Sequence, residues 1–139
     1  MAIKMRILYS SSKKKMNNIA EAIKTKYDLA FNAVDVIPPA YSCDKERIVI
    51  LGISCKDDLP NKVELFCREL TKARAQNVAL VIDGPESVAN NIKEILKEAG
   101  TNVIDEVHYV KCGLFGSAVK PEEKEALFAW VETVIANLK

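Results

Sequence analysis

The sequence predicts one α/β domain: a five-stranded, mostly parallel sheet, doubly wound, with helices on both faces. Two features of the chain point there. Short apolar runs rich in β-branched residues alternate with longer segments whose apolar residues recur every three or four positions. That alternation is the pattern of parallel strands joined by helical crossovers. The 139 residues, 49% of them hydrophobic, suffice for a single core spanning 1–139 and contain no linker, internal repeat or low-complexity tract that would divide it.

The first run, residues 7–9, has strand length and leads to a helical segment in which Met16, Ile19, Ala20, Ile23 and Tyr27 share one face. A second run at 33–37 ends on Pro38 and Pro39, which block a regular helix immediately after it, although the stretch YSCDKE has room for one or two turns. The third run, 48–53, precedes a helix with Leu59, Val63, Phe66 and Leu70 on its apolar face, for which Asp58 is the expected cap. A fourth run at 78–82 precedes the face formed by Val88, Ile92, Ile95 and Ala99, with Gly100 as its stop. The fifth run is 103–110. Pro121 followed by Glu122 and Glu123 opens the last helix, proline in the first turn and carboxylates at the positive end of the dipole, with Leu127, Val131, Val134 and Leu138 buried. Ile7, Val49, Ile50 and Val81 are expected at the centre of the core.

Composition narrows the function classes. Twenty basic and nineteen acidic residues leave a formal charge of +1, so no global field draws the protein to nucleic acid or an anionic membrane. The opening MAIKMRILYS has too short an apolar run for a secretory signal, and no stretch has the length of a membrane helix, so a cytoplasmic location is expected. Cys43, Cys55, Cys67 and Cys112 show no ligand spacing, His108 is the only histidine, and free thiols rather than a metal site are expected. Asp57 and Asp58 are adjacent carboxylates that point different ways and make a poor cation site.

In an open parallel sheet, ligands bind beyond the carboxyl ends of the strands where strand order reverses. Three connections lie on that edge: SSSKKKM after the first strand, SCKDDLP after the third and DGPES after the fourth. The first is a hydroxyl-rich loop at a helix start, the kind of place where backbone amides hold a phosphate. Its three lysines oppose the helix dipole and are offset by a bound anion, or else simply face water. Cys55 beside Lys56 has a cationic neighbour that favours the thiolate. Cys112 closes the fifth strand on the same edge, Cys67 reads as core, and His108 faces solvent by alternation. Leu114 and Phe115, in CGLFGSAVKP, form a lid over this edge, a contact for a partner, or a plain strand-to-helix connection.

The stretch YSSSKKKMNNIAEAI, together with ILGISCKDDLPNKVELFCREL and QNVALVID, resembles the flavodoxin family, and in particular its small clostridial-type flavodoxin-like members, over essentially the whole chain. The resemblance implies strand order 2-1-3-4-5, bound flavin mononucleotide (FMN) and electron transfer with a redox protein partner, as a carrier or as a flavoprotein oxidoreductase component. It implies that Ser10, Ser11, Ser12, Lys13, Lys14, Lys15 and Met16 surround the phosphate, while Ser54, Cys55, Lys56 and Asp57 and then Asp83, Gly84 and Pro85 border the ring. The departures fall within the phosphate loop, where Lys14, Lys15 and Met16 stand in place of the family's glycine, asparagine and threonine. A glycine lets backbone approach a phosphate closely, and a threonine donates a hydroxyl. The two ring-bordering loops also lack a tryptophan or tyrosine, and Trp130, deep in the last helix pattern, reads as packing. These features imply a weakened FMN site. The rival reading is a flavin-free module of the same fold that binds another anion or a protein partner.

Overall fold

The computed structural model describes residues 3–113 and 116–139. Its elements run β1 (Met5–Ser10), α1 (Lys14–Lys26), β2 (Val34–Val36), β3 (Ile48–Ser54), α2 (Asn61–Arg68), β4 (Asn77–Asp83), α3 (Glu86–Ala99), β5 (Asn102–Val103), β6 (His108–Tyr109) and α4 (Pro121–Ala136). The sheet is parallel throughout, in the order β2-β1-β3-β4-β5, with β6 also paired to β4. This is the doubly wound α/β sheet expected. No helix among the described residues is long and apolar enough to cross a membrane.

The core lies in two layers, one on each face of the sheet. Leu8, Val49, Leu51, Leu80 and Ile82 point toward α2 and α3. Ile7, Ile48, Ile50 and Val81 point toward α1 and α4. The two central strands are therefore buried on both sides, and they read as unbroken apolar runs for that reason. Ile7, Val49, Ile50 and Val81 are each no more than 2% exposed, in line with the sequence expectation. Gly52, at the middle of β3, makes room for α1: a Cβ there would lie 2.8 Å from Met16 Sδ.

Two local expectations change. The run 103–110 is not one strand but two short pieces on β4. Val103 pairs with Val78 and His108 with Val81, so five steps along one chain answer three along the other and two residues loop out. The loop carries Asp105 and Glu106, both exposed, which a continuous strand would have had to accommodate on its pleat. Trp130 braces it, its indole Nε1 donating to the Glu106 carbonyl at 2.9 Å while its ring stacks on His108 with centroids 5.4 Å apart. His108 is consequently half-buried rather than turned to solvent. The YSCDKE stretch forms no helix; it is irregular chain whose own Cys43 is buried.

Burial holds the His108 imidazole below its ordinary value of 6.5. The unfolded chain therefore takes up a proton before the folded one does, and stability is lost as pH falls below 6.5. His108→Phe, which keeps a ring against Trp130, should flatten that part of the stability–pH curve. Equilibrium denaturation across a pH series checks this, and an unchanged slope contradicts it.

Candidate functional site

The chain leaves β1 and β3 in opposite directions around the sheet, which opens a crevice at their carboxyl ends. Ser11 stitches its two sides together. Its hydroxyl donates to Ser54 Oγ at 2.7 Å and accepts the Lys13 amide at 3.0 Å, so the loop after β1 is fastened to the end of β3. Ser10 is buried and Ser12 is exposed. Lys13 sits just ahead of α1 in extended conformation, φ −95° and ψ 124°. Among the described residues the only non-glycine positions with positive φ are Asp28 and Lys45, so this glycine-free loop carries no left-handed strain.

The three lysines diverge. Lys13 Nζ donates to the Cys112 carbonyl at 3.3 Å, across the crevice. Lys14 is exposed. Lys15 Nζ meets Glu123 Oε2 at 2.6 Å, and Glu123 Oε1 accepts the Lys120 amide at 3.1 Å, which ties the start of α1 to the start of α4. The Lys15 hydrogen bond draws the Glu123 carboxyl below the usual range. Lys15 is thus already engaged, and any phosphate has to compete with Glu123 for it. Met16 departs from its expected place: its side chain is 1% exposed and packed in the core over Gly52, because position 16 falls on the inward stripe of α1.

On the other side of the crevice, the loops after β3 and β4 touch backbone to backbone. The Cys55 amide donates to the Asp83 carbonyl at 3.1 Å. A Cβ at Gly84 would stand 2.0 Å from the Cys55 carbonyl oxygen, so glycine is required by close approach. Cys55 is half-buried, its thiol 3.1 Å from the Asp58 carbonyl, while Lys56, Asp57 and Pro85 are exposed. Asp58 does not cap α2: the helix begins at Asn61 with Pro60 in the capping position. Cys112 is buried, and its thiol is pushed up to about 11 by burial and by the charge of Asp83, with a hydrogen bond to Ser54 opposing. It is a packing group at neutral pH.

One candidate escaped the sequence reading. Tyr109, 47% exposed, ends β6 and lines a cavity of about 380 Å³ with Asp83, Gly84, Val110 and Lys111. It supplies the aromatic face that the loops after β3 and β4 lack. The signal was present in the alternation of His108 and Tyr109 at a strand's carboxyl end, and the expected orientation was inverted. Leu114 and Phe115, considered as a lid, lie outside the described residues.

Cys55 is the one cysteine of the four that is not buried, so it should react first with an alkylating agent. Gly84→Ala should push the two loops apart, costing about 1–3 kcal/mol and hastening that reaction. Mass spectrometry after timed labelling reads both effects. Earlier labelling of Cys67, or a Gly84→Ala protein of unchanged stability and rate, contradicts the geometry.

No family model matches the sequence, and no curated protein matches it. Solved structures do resemble it. A short-chain flavodoxin associated with a non-canonical PDU bacterial microcompartment superposes with TM-score 0.69 over 100% of both chains at 13% identity. A flavodoxin from the domain Archaea gives TM-score 0.54 over 90% of this chain and 91% of its own, at 15% identity. At such identities the likeness lies in the path of the chain, and it matches the strand order and helix placement described above. The chain is an α/β domain of flavodoxin-like fold.

Proposed function

We propose that the protein binds FMN at the carboxyl edge of the sheet and transfers electrons between redox protein partners, with a phosphate site weaker than a glycine-containing loop would make. The observation that carries this reading is the convergence at the strand-order reversal of a hydroxyl loop opening a helix (Ser10, Ser11, Ser12), the Ser54 hydroxyl, and the Asp83–Gly84 turn with Tyr109 beside it.

The donor set fits the cofactor in part. The first amides of α1, at Lys14 and Lys15, have no intrahelical acceptor, and with the Ser12 hydroxyl they form a donor group for a phosphate. Lys14 is an exposed cation close by. Against this, the Ser11 hydroxyl is already used twice and Lys15 is paired to Glu123, which accounts for a weakened site. The ring would border Ser54, Cys55, Lys56 and Asp57 on one side and Asp83, Gly84 and Pro85 on the other, with Tyr109 offering a stacking face. Bound FMN supplies one- and two-electron chemistry. This chain's part is to orient the ring through the Cys55–Gly84 backbone contact and to hold the phosphate end at α1.

Calorimetric titration with FMN and with riboflavin, which lacks the phosphate, tests the assignment. FMN should bind the tighter of the two. Glu123→Gln should release Lys15 and tighten FMN by about tenfold through one regained charge-assisted hydrogen bond, leaving riboflavin unchanged. Tyr109→Ala should weaken both flavins. Equal affinity for FMN and riboflavin would remove the phosphate assignment, and failure of both to bind would favour the flavin-free module instead.

A further inference from the structure

A cavity of about 310 Å³ lies where α1, α4 and the end of β6 meet. Its walls are apolar: Ile19 from α1, Ala126 and Leu127 from α4, Val110 just past β6, and Val119 ahead of α4. Ile19 and Leu127 belong to the core, whereas Ala126 is exposed and stands at the mouth. An apolar cavity of about 150 Å³ admits benzene, so this one has room for a ring with a substituent.

One polar side chain is set into that lining. His108 and Val110 are two steps apart along the chain and share the side of the sheet covered by α1 and α4. Trp130 fixes the imidazole: the two rings stack with centroids 5.4 Å apart, and the indole is itself anchored to the Glu106 carbonyl. No hydrogen bond joins the imidazole to another described residue. Its nitrogens are nevertheless accessible, because among the described residues the sealed side-chain nitrogens and oxygens without a partner belong to Arg6 and Glu46. Held below its ordinary value of 6.5, the ring is uncharged at neutral pH and presents one N–H donor and one lone pair. An apolar hollow with a single neutral hydrogen-bonding group is the usual make-up of a small-molecule site.

The rim selects against charge. Glu123 stands there with its carboxylate already taken by Lys15 at 2.6 Å and by the Lys120 amide at 3.1 Å. A carboxylate ligand would give up its hydration to lie beside Glu123, and an ammonium ligand would meet Lys111. A hydroxyl loses less on leaving water, and the imidazole replaces the bond it gives up. The His108–Trp130 stack adds a π surface, which favours an aromatic ring over an aliphatic chain of equal size.

We propose that this cavity binds a small neutral aromatic alcohol of the phenol class, its ring against Ile19, Val110 and Leu127 and its hydroxyl on the His108 imidazole. Tyr109, Val110 and Lys111 border both this cavity and the FMN candidate, but His108 lines this one only, and the assignment does not rest on FMN binding.

Proton NMR of the intact chain without FMN tests the proposal, since its one histidine and one tryptophan give a single imidazole and a single indole N–H to follow. Phenol should shift both signals saturably, and benzoate and benzylammonium should bind about tenfold or more weakly. His108→Phe, read at the indole, should weaken phenol about threefold or more through the lost hydrogen bond without weakening toluene. Ala126→Trp, at an exposed position, plugs the mouth and should abolish binding of both. Should His108→Phe fail to fold, Ala126→Trp and the probe series on the unaltered protein still decide. The proposal is overturned by phenol moving neither signal, by benzoate binding as tightly as phenol, or by phenol binding undiminished in Ala126→Trp. Equal losses of phenol and toluene in His108→Phe would overturn it as well.

Discussion

The structure depends on the parallel register of three strands, β1, β3 and β4. Ser10 pairs with Ile53, and Ser54 with Asp83, so the three strands end nearly level. Everything at the carboxyl edge inherits its position from that alignment. The Ser11–Ser54 bond and the Cys55–Asp83 bond each join neighbouring strands just past their last paired residues, extending the sheet's order into its loops. A slip of one residue would turn every core side chain to the other face, which the two apolar layers forbid. The same stiffness serves the amino edge, where Arg6 is held by the β1–β3 ladder.

Much of the fold was legible because periodicity reports burial. β3 and β4 are covered on both faces and are apolar throughout, whereas the helices have one buried stripe each, so the two periods separate cleanly. The fifth run misled because an apolar stretch says nothing about register. Asp105 and Glu106 interrupt it, and only the tertiary bond from Trp130 to the Glu106 carbonyl makes their excursion from the sheet affordable. Asp58 failed as a cap for a similar reason: Pro60 starts the helix later, and the carbonyl of Asp58 goes to the Cys55 thiol instead.

The candidate site was legible as an edge but not as a set of contacts. Which strands end where follows from the order of elements, and that brought Ser10 to Lys15, Ser54 to Asp57 and Asp83 to Pro85 together. Where a lysine points does not follow. Lys15 is claimed by Glu123, a residue 108 positions away, and Lys13 by the Cys112 carbonyl, 99 positions away. Gly84 was noted as a neighbour of the ring, and the structure adds that no other residue fits beside the Cys55 carbonyl. Arg6 and Glu46 gave no signal of a site, since one sits within a strand and the other ends the YSCDKE stretch read for a helical turn, and only the fold brings them to one cavity.

The carboxyl edge of the sheet thus gathers amides, hydroxyls and an aromatic face. Occupation of that edge by FMN is read most directly from the visible difference spectrum as the flavin is added to the full chain. Flavin bands that shift saturably with protein concentration are the predicted result, because a ring moved from water against Tyr109 and the Asp83–Gly84 turn changes its surroundings. A spectrum equal at every ratio to the sum of free FMN and protein would contradict it.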